Sequence, residues 1–151
     1  MENGIKKRAV ILLAEDDLGD QKLTKKAFES GMIDNDLYIV ENGEEALDYL
    51  LRRGKYTDPA TSPVPDIFLL DLNMPKIDGR QVLQEMQQNS DCPRVPTIVL
   101  TTSKQEEDII RTYDLGIKSY ITKPVDFGSF VDAIQTLGKY WFQLVVLPPS
   151  N

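Results

Sequence analysis

The sequence predicts a doubly wound α/β domain in which five parallel strands are each followed by a helix. Short continuous apolar runs alternate with longer amphipathic stretches, helix-capping residues fall between the two, and a length of 151 residues suits one domain. A chain of that size buries roughly 68–70% of its unfolded surface, enough for a core without disulfide or metal staples.

The elements follow in order. Residues 10–14 form an apolar first strand, and 18–30 a helix closed by Gly31. Residues 37–40 are the second strand, 44–53 the second helix, and Gly54 follows it. Residues 54–65 contain Pro59, Pro63 and Pro65, which deny a helix and predict an ordered surface excursion. The third strand, 67–70, leads to a helix at 80–88. The fourth, 97–101, leads to a helix at 105–115 closed by Gly116. The fifth strand, 119–122, precedes a helix that starts at the N-cap position of Asp126 and extends to about residue 147. Three of the five strands are apolar enough for burial on both faces, and right-handed crossovers put ligands at the carboxyl ends of the strands. No repeat or second domain is visible. The expected division is an arm at 1–8, a domain at 9–138, and a helix extension and tail at 139–151.

Composition excludes several chemistries. There is no histidine, so activation of a nucleophile by histidine, a phosphohistidine and most zinc sites are ruled out. One cysteine, Cys92, leaves no internal disulfide. A net charge of −7 repels a phosphate backbone and predicts no nucleic-acid partner. No apolar run approaches a membrane span, and the N-terminus lacks a cleavage signal, so a cytoplasmic location is expected.

Chemistry concentrates where strands end. The first strand runs into Glu15-Asp16-Asp17 and the third into Asp71. Two carboxylates about 4 Å apart repel by roughly 4 kcal/mol at an effective dielectric near 20, so such a group shifts a pKa or binds a cation. An all-oxygen donor set suits a hard ion such as Mg²⁺. Glu15-Asp16-Asp17 alone reads equally well as acids favoured by a helix N-terminus. The fourth strand ends in Thr101-Thr102-Ser103 and the fifth in Thr122-Lys123-Pro124, bringing hydroxyls and an ammonium to the same edge. Acids, hydroxyl and cation together are what a transferring phosphoryl group requires.

These residues resemble the receiver domains of two-component response regulators over about residues 9–138. Glu15-Asp16 resembles the family's acidic pair. Asp71-Leu72-Asn73-Met74-Pro75 with Asp78-Gly79 resembles its phosphorylation loop, Thr101 and Lys123-Pro124 its switch hydroxyl and lysine, and Tyr120 its aromatic switch. The resemblance implies a flavodoxin-like fold with strand order 2-1-3-4-5. It implies Asp71 as phosphoryl acceptor and Mg²⁺ on Asp16, Asp71 and the Asn73 backbone carbonyl, with Glu15 ligating directly or through water. Thr101, Thr102, Lys123 and Tyr120 would bind the phosphoryl group and report it. The phosphodonor would be a histidine kinase, and the chain would be a signalling protein that catalyses only its own aspartyl phosphorylation and dephosphorylation.

The predicted last helix carries an apolar seam through Phe127, Phe130, Ile134, Leu137, Trp141 and Leu144, widened by Val131, Phe142 and Val145. It is longer than a strand needs to be covered, so Phe127, Trp141, Phe142 and Val145 are expected to form a homodimer contact, the alternative being a helix that folds back as core. The ending 138–148, the excursion at 54–65 and Tyr113-Asp114-Leu115 resemble the small response regulators paired with cyanobacterial phytochrome kinases. That narrower resemblance implies a light-sensing kinase and dimerisation through the fourth helix, fifth strand and fifth helix.

Three other functions compete. A metal-dependent phosphatase turning over at Asp71 would want a second acid two residues on, where Asn73 stands. A flavin or nucleotide module would want a glycine-rich loop after the first strand, where three acids stand instead. A receiver that signals without phosphate would have no need to keep Asp16, Asp71, Thr101 and Lys123 together.

Overall fold

A computed structural model describes residues 8–30, 34–72, 74, 76–101, 119–122 and 132, with residue 101 and residues 119–122 described through their strand backbone. Five strands, β1 (Ala9–Ala14), β2 (Asn35–Val40), β3 (Ile67–Asp71), β4 (Thr97–Thr101) and β5 (Ser119–Thr122), form one sheet in the order β2-β1-β3-β4-β5. All four pairings are parallel. This is the order of the flavodoxin-like doubly wound fold. Between the strands lie α1 (Leu18–Ser30), α2 (Gly43–Leu50) and α3 (Gly79–Gln88). The helices predicted at 105–115 and from Asp126 to about 147, with the caps assigned to Gly31 and Gly116, fall outside the described residues.

Alternation along the central strands builds two cores. Leu12, Ala14, Phe68, Leu70 and Val99 point to the α2 and α3 side, where they join Ala46, Leu47, Leu50, Val82 and Leu83. Ile11, Leu13, Ile67, Leu69, Ile98 and Leu100 point to the other side and meet Ala27 and Phe28 of α1. Every residue of β3 is buried, as expected of a central parallel strand covered on both faces. At the edge, β2 is mostly half-buried or exposed.

Three expectations need correction. The second helix ends at Leu50 instead of residue 53, because Arg52 takes a left-handed conformation at φ 57°. The Arg52 N–H then donates to the Tyr49 carbonyl (3.3 Å) and the Arg53 N–H to the Asp48 carbonyl (2.8 Å), a Schellman closure with arginine where glycine is usual. Gly54 therefore lies beyond that closure. Second, the excursion opens with a one-turn 3-10 helix at Gly54–Tyr56, possible because its prolines begin only at Pro59. Third, β2 starts two residues earlier than expected, since Asn35 already pairs with Ala9.

The excursion is pinned onto α2. The Tyr49 hydroxyl donates to the Pro63 carbonyl (2.8 Å) and the Arg52 guanidinium to the Ser62 carbonyl (3.2 Å). Tyr49 packs against Tyr38 and Tyr56, with ring centroids 6.1 and 5.2 Å away. Glu45 accepts from the Glu41 N–H (3.2 Å) and the Tyr56 hydroxyl (3.3 Å) and pairs with Lys55 at 3.5 Å. The Glu41 N–H is the main reason its carboxyl sits below the usual range. Among the described residues no helix is long and apolar enough to cross a membrane.

Candidate functional site

Because all five strands run the same way, their carboxyl ends share one edge, and β1 and β3 lie side by side in it. The chain leaves β1 through Glu15 and ends β3 on Asp71, both nearly inaccessible at 1% and 3% exposure. Asp16 follows Glu15 and is exposed. Carboxylate oxygens of Glu15, Asp16 and Asp71 all lie within 4.8 Å of one another. The three acids that the sequence analysis assigned to one site are thus brought together.

Asp17 does something else. Its side chain accepts from the Asp20 N–H at 2.8 Å and its carbonyl from the Gln21 N–H at 2.9 Å, which makes it the N-cap of α1. The acidic triplet thus divides: Asp17 serves the helix terminus, while Glu15 and Asp16 lie beside Asp71. The turn is further tied down by the Glu15 N–H donating to the Val40 carbonyl (3.0 Å) and the Asp17 N–H donating to the Glu15 carboxylate (3.2 Å). Gln21 escaped the sequence analysis. Its amide donates to the Glu15 carbonyl at 2.7 Å and to the Glu41 carboxylate at 3.3 Å. The signal was a polar residue four positions past the N-cap, on the helix turn nearest the strand ends.

The loop after β3 is closed from both sides. The Leu72 N–H donates to the Leu100 carbonyl (3.1 Å), extending the β3–β4 pairing, and the Gly79 N–H donates back to the Leu72 carbonyl (3.0 Å). A side chain at Gly79 would meet the Leu72 Cα at 2.7 Å and the Asp71 carbonyl at 2.8 Å, so only glycine fits there. Asp78 caps α3 in a reciprocal capping box with Gln81. Lys76 adopts φ 67° and pairs with Glu44 at 3.4 Å, tying the loop to α2. Gly43 of α2 approaches the same loop so closely that a Cβ would stand 1.8 Å from the Ile77 carbonyl oxygen.

Of the other predicted site residues, Thr101 ends β4, and Tyr120 lies within β5 opposite Val99 of β4. The register pairs Thr101 with Thr122, at the same edge as the acids. Asn73, Thr102, Lys123, Phe127, Trp141, Phe142 and Val145 lie outside the described residues.

The acids at this edge offer a donor set made only of oxygen. That chemistry fits a hard divalent cation, and three negative groups this close favour one.

Comparison with known proteins agrees with this geometry. A family model described as the response regulator receiver domain matches residues 11–135. Response regulator Rcp1 of Synechocystis sp. is 40% identical over 141 residues, which cover 93% of this chain and 94% of that protein. The structure of the phosphorylated cyanobacterial phytochrome response regulator RcpA has a TM-score of 0.77 at 35% identity, covering 91% of this chain and 96% of its own. The Mn²⁺-bound form of Rcp1 has a TM-score of 0.76 at 40% identity, covering 93% and 99%. A parallel α/β sheet with an acidic cluster at its carboxyl edge is therefore matched in sequence along nearly the whole chain, and the chain belongs to the response regulator receiver domain family.

Proposed function

We propose that this chain is a response regulator that takes a phosphoryl group from the phosphohistidine of a histidine kinase onto Asp71. The observation that carries this reading is the convergence of Glu15, Asp16 and Asp71 within 4.8 Å at the carboxyl edge of a receiver sheet. Asp16, Asp71 and the Asn73 carbonyl would hold Mg²⁺, with Glu15 ligating directly or through water. When bound, the cation neutralises the acids and lowers the cost of bringing phosphoryl oxygens beside them. The Asp71 carboxylate attacks phosphorus, the bond to the kinase imidazole breaks, and Asp71 carries an acyl phosphate that water later hydrolyses. Lys123 offsets the added charge.

In this reading Thr101 and Thr102 bind phosphoryl oxygens, and Tyr120 turns inward behind Thr101. That alters the surface of the predicted fourth helix (105–115), β5 and the predicted fifth helix (from Asp126 to about 147), completing a fold of five strands and five helices. The changed surface recruits a partner or a second copy, the latter through Phe127, Trp141, Phe142 and Val145. The similarity to Rcp1 and RcpA supports a phytochrome-type kinase as donor. The domain would span 9–138, with 1–8 and 139–151 as arm and extension.

The test is direct transfer. A phytochrome-type histidine kinase labelled on its histidine is mixed with this chain and Mg²⁺. Label should leave the kinase and appear on wild type but not on Asp71→Asn; label retained on the kinase, or gained equally by the variant, overturns the reading.

A further inference from the structure

We propose that Gln21 is a positioning residue for the cation site: its amide holds the Glu15–Asp16 peptide in the orientation that aims both carboxylates at Asp71. This deepens the reading above and rests on it.

Asp16 is the exposed member of the acidic cluster, and among the described residues no hydrogen bond is made to its carboxylate. The positions its rotamers can reach are therefore set by its backbone, whose orientation depends on the peptide linking it to Glu15. That peptide's carbonyl accepts from Gln21 Nε2 at 2.7 Å, the shorter of the two bonds the amide makes. The second goes to Glu41 at 3.3 Å, just past the end of β2. Both acceptors are oxygens and the amide nitrogen has two hydrogens, so one orientation satisfies both, and a flipped amide would set oxygen against oxygen. Gln21 follows directly from the α1 N-cap, since its own N–H bonds to the Asp17 carbonyl. The helix start, the end of β2 and the acidic turn are thus joined through one half-buried side chain. Groups that orient ligands from behind tune affinity without touching the ion.

Two readouts test this on the full chain. Without metal, amide hydrogen exchange at Glu15 and Asp17, whose N–H groups bond to the Val40 carbonyl and the Glu15 carboxylate, should quicken in Gln21→Leu, while the core of β3 keeps its protection. With Mg²⁺ titrated by calorimetry, Gln21→Leu should bind about tenfold more weakly, at the low end of the effect of such orienting groups. Gln21→Glu should also bind more weakly: a role confined to long-range charge would make the added acid strengthen binding, and a tighter Gln21→Glu overturns the proposal. Unchanged exchange at Glu15 and Asp17 overturns it as well, as does wild-type affinity in Gln21→Leu. If Gln21→Leu loses its fold, Gln21→Asn, polar but one methylene too short, carries the same two expectations. If wild type and Asp71→Asn both fail to bind Mg²⁺, the cation reading falls, and the exchange measurement still decides the role of Gln21.

Discussion

Replacing Asp71 by asparagine should make the metal-free protein more stable while removing its response to Mg²⁺. The acids lie within 4.8 Å of one another, and at an effective dielectric near 20 each pair at that separation repels by about 3–4 kcal/mol. Glu15 and Asp71 are both buried, so water screens their repulsion poorly, whereas Asp16 is exposed and counts for less. The amide keeps the shape of the carboxylate and removes its charge. Asp71 makes further interactions that the amide would also alter, so the expected net gain is on the order of 1–3 kcal/mol, below the bare repulsion. Urea denaturation at neutral pH measures it. Mg²⁺ at a hundred times its dissociation constant should stabilise wild type by about 2.7 kcal/mol and Asp71→Asn by far less. A variant that is less stable than wild type without metal, and that still gains from Mg²⁺ as wild type does, would refute the account of a strained acidic cluster relieved by a cation.

Three further outcomes follow from the packing around the site. Gly43→Ala puts a Cβ 1.8 Å from the Ile77 carbonyl oxygen, so the loop after β3 must shift, and denaturation should show a loss of about 1–3 kcal/mol. Asp17→Ala removes the α1 cap and should cost about 1 kcal/mol while leaving Mg²⁺ binding within about twofold, which calorimetry checks. Burial, with the neighbouring Tyr38 second, pushes the Tyr49 hydroxyl above its usual value near 10, so its contribution to stability is full below about pH 10 and is lost as pH rises further. Tyr49→Phe should cost about 1 kcal/mol at neutral pH through the lost bond to Pro63 and show a shallower decline in alkali.

Much of this architecture was legible because the central strands carry their own instructions. Residues 67–70 and 97–101 are apolar runs that only a sheet covered on both faces can bury, and the acids that end β1 and β3 then have to meet. Legibility failed where a local closure overrode composition. Nothing in Leu51-Arg52-Arg53 announces a left-handed arginine, yet the Schellman bonds ended α2 three residues before the expected boundary. The proline count of 54–65 hid a 3-10 turn placed ahead of the prolines. At the site, the sequence marked Glu15, Asp16 and Asp71, whose chemistry is intrinsic to their side chains. It left Asp17 ambiguous and passed over Gln21, because their parts depend on which backbone group each reaches, and that is set only once the β1–α1 turn has formed.

The proposed role of Asp71 as a metal-dependent phosphoryl acceptor can be read on the protein itself, by intact-mass measurement after incubation with acetyl phosphate. Wild type with Mg²⁺ should gain the mass of one phosphoryl group, lose it on standing, and gain none in excess chelator; Asp71→Asn should gain none in either condition. A phosphoryl adduct on Asp71→Asn, or one formed equally well by wild type without a divalent cation, would contradict the account.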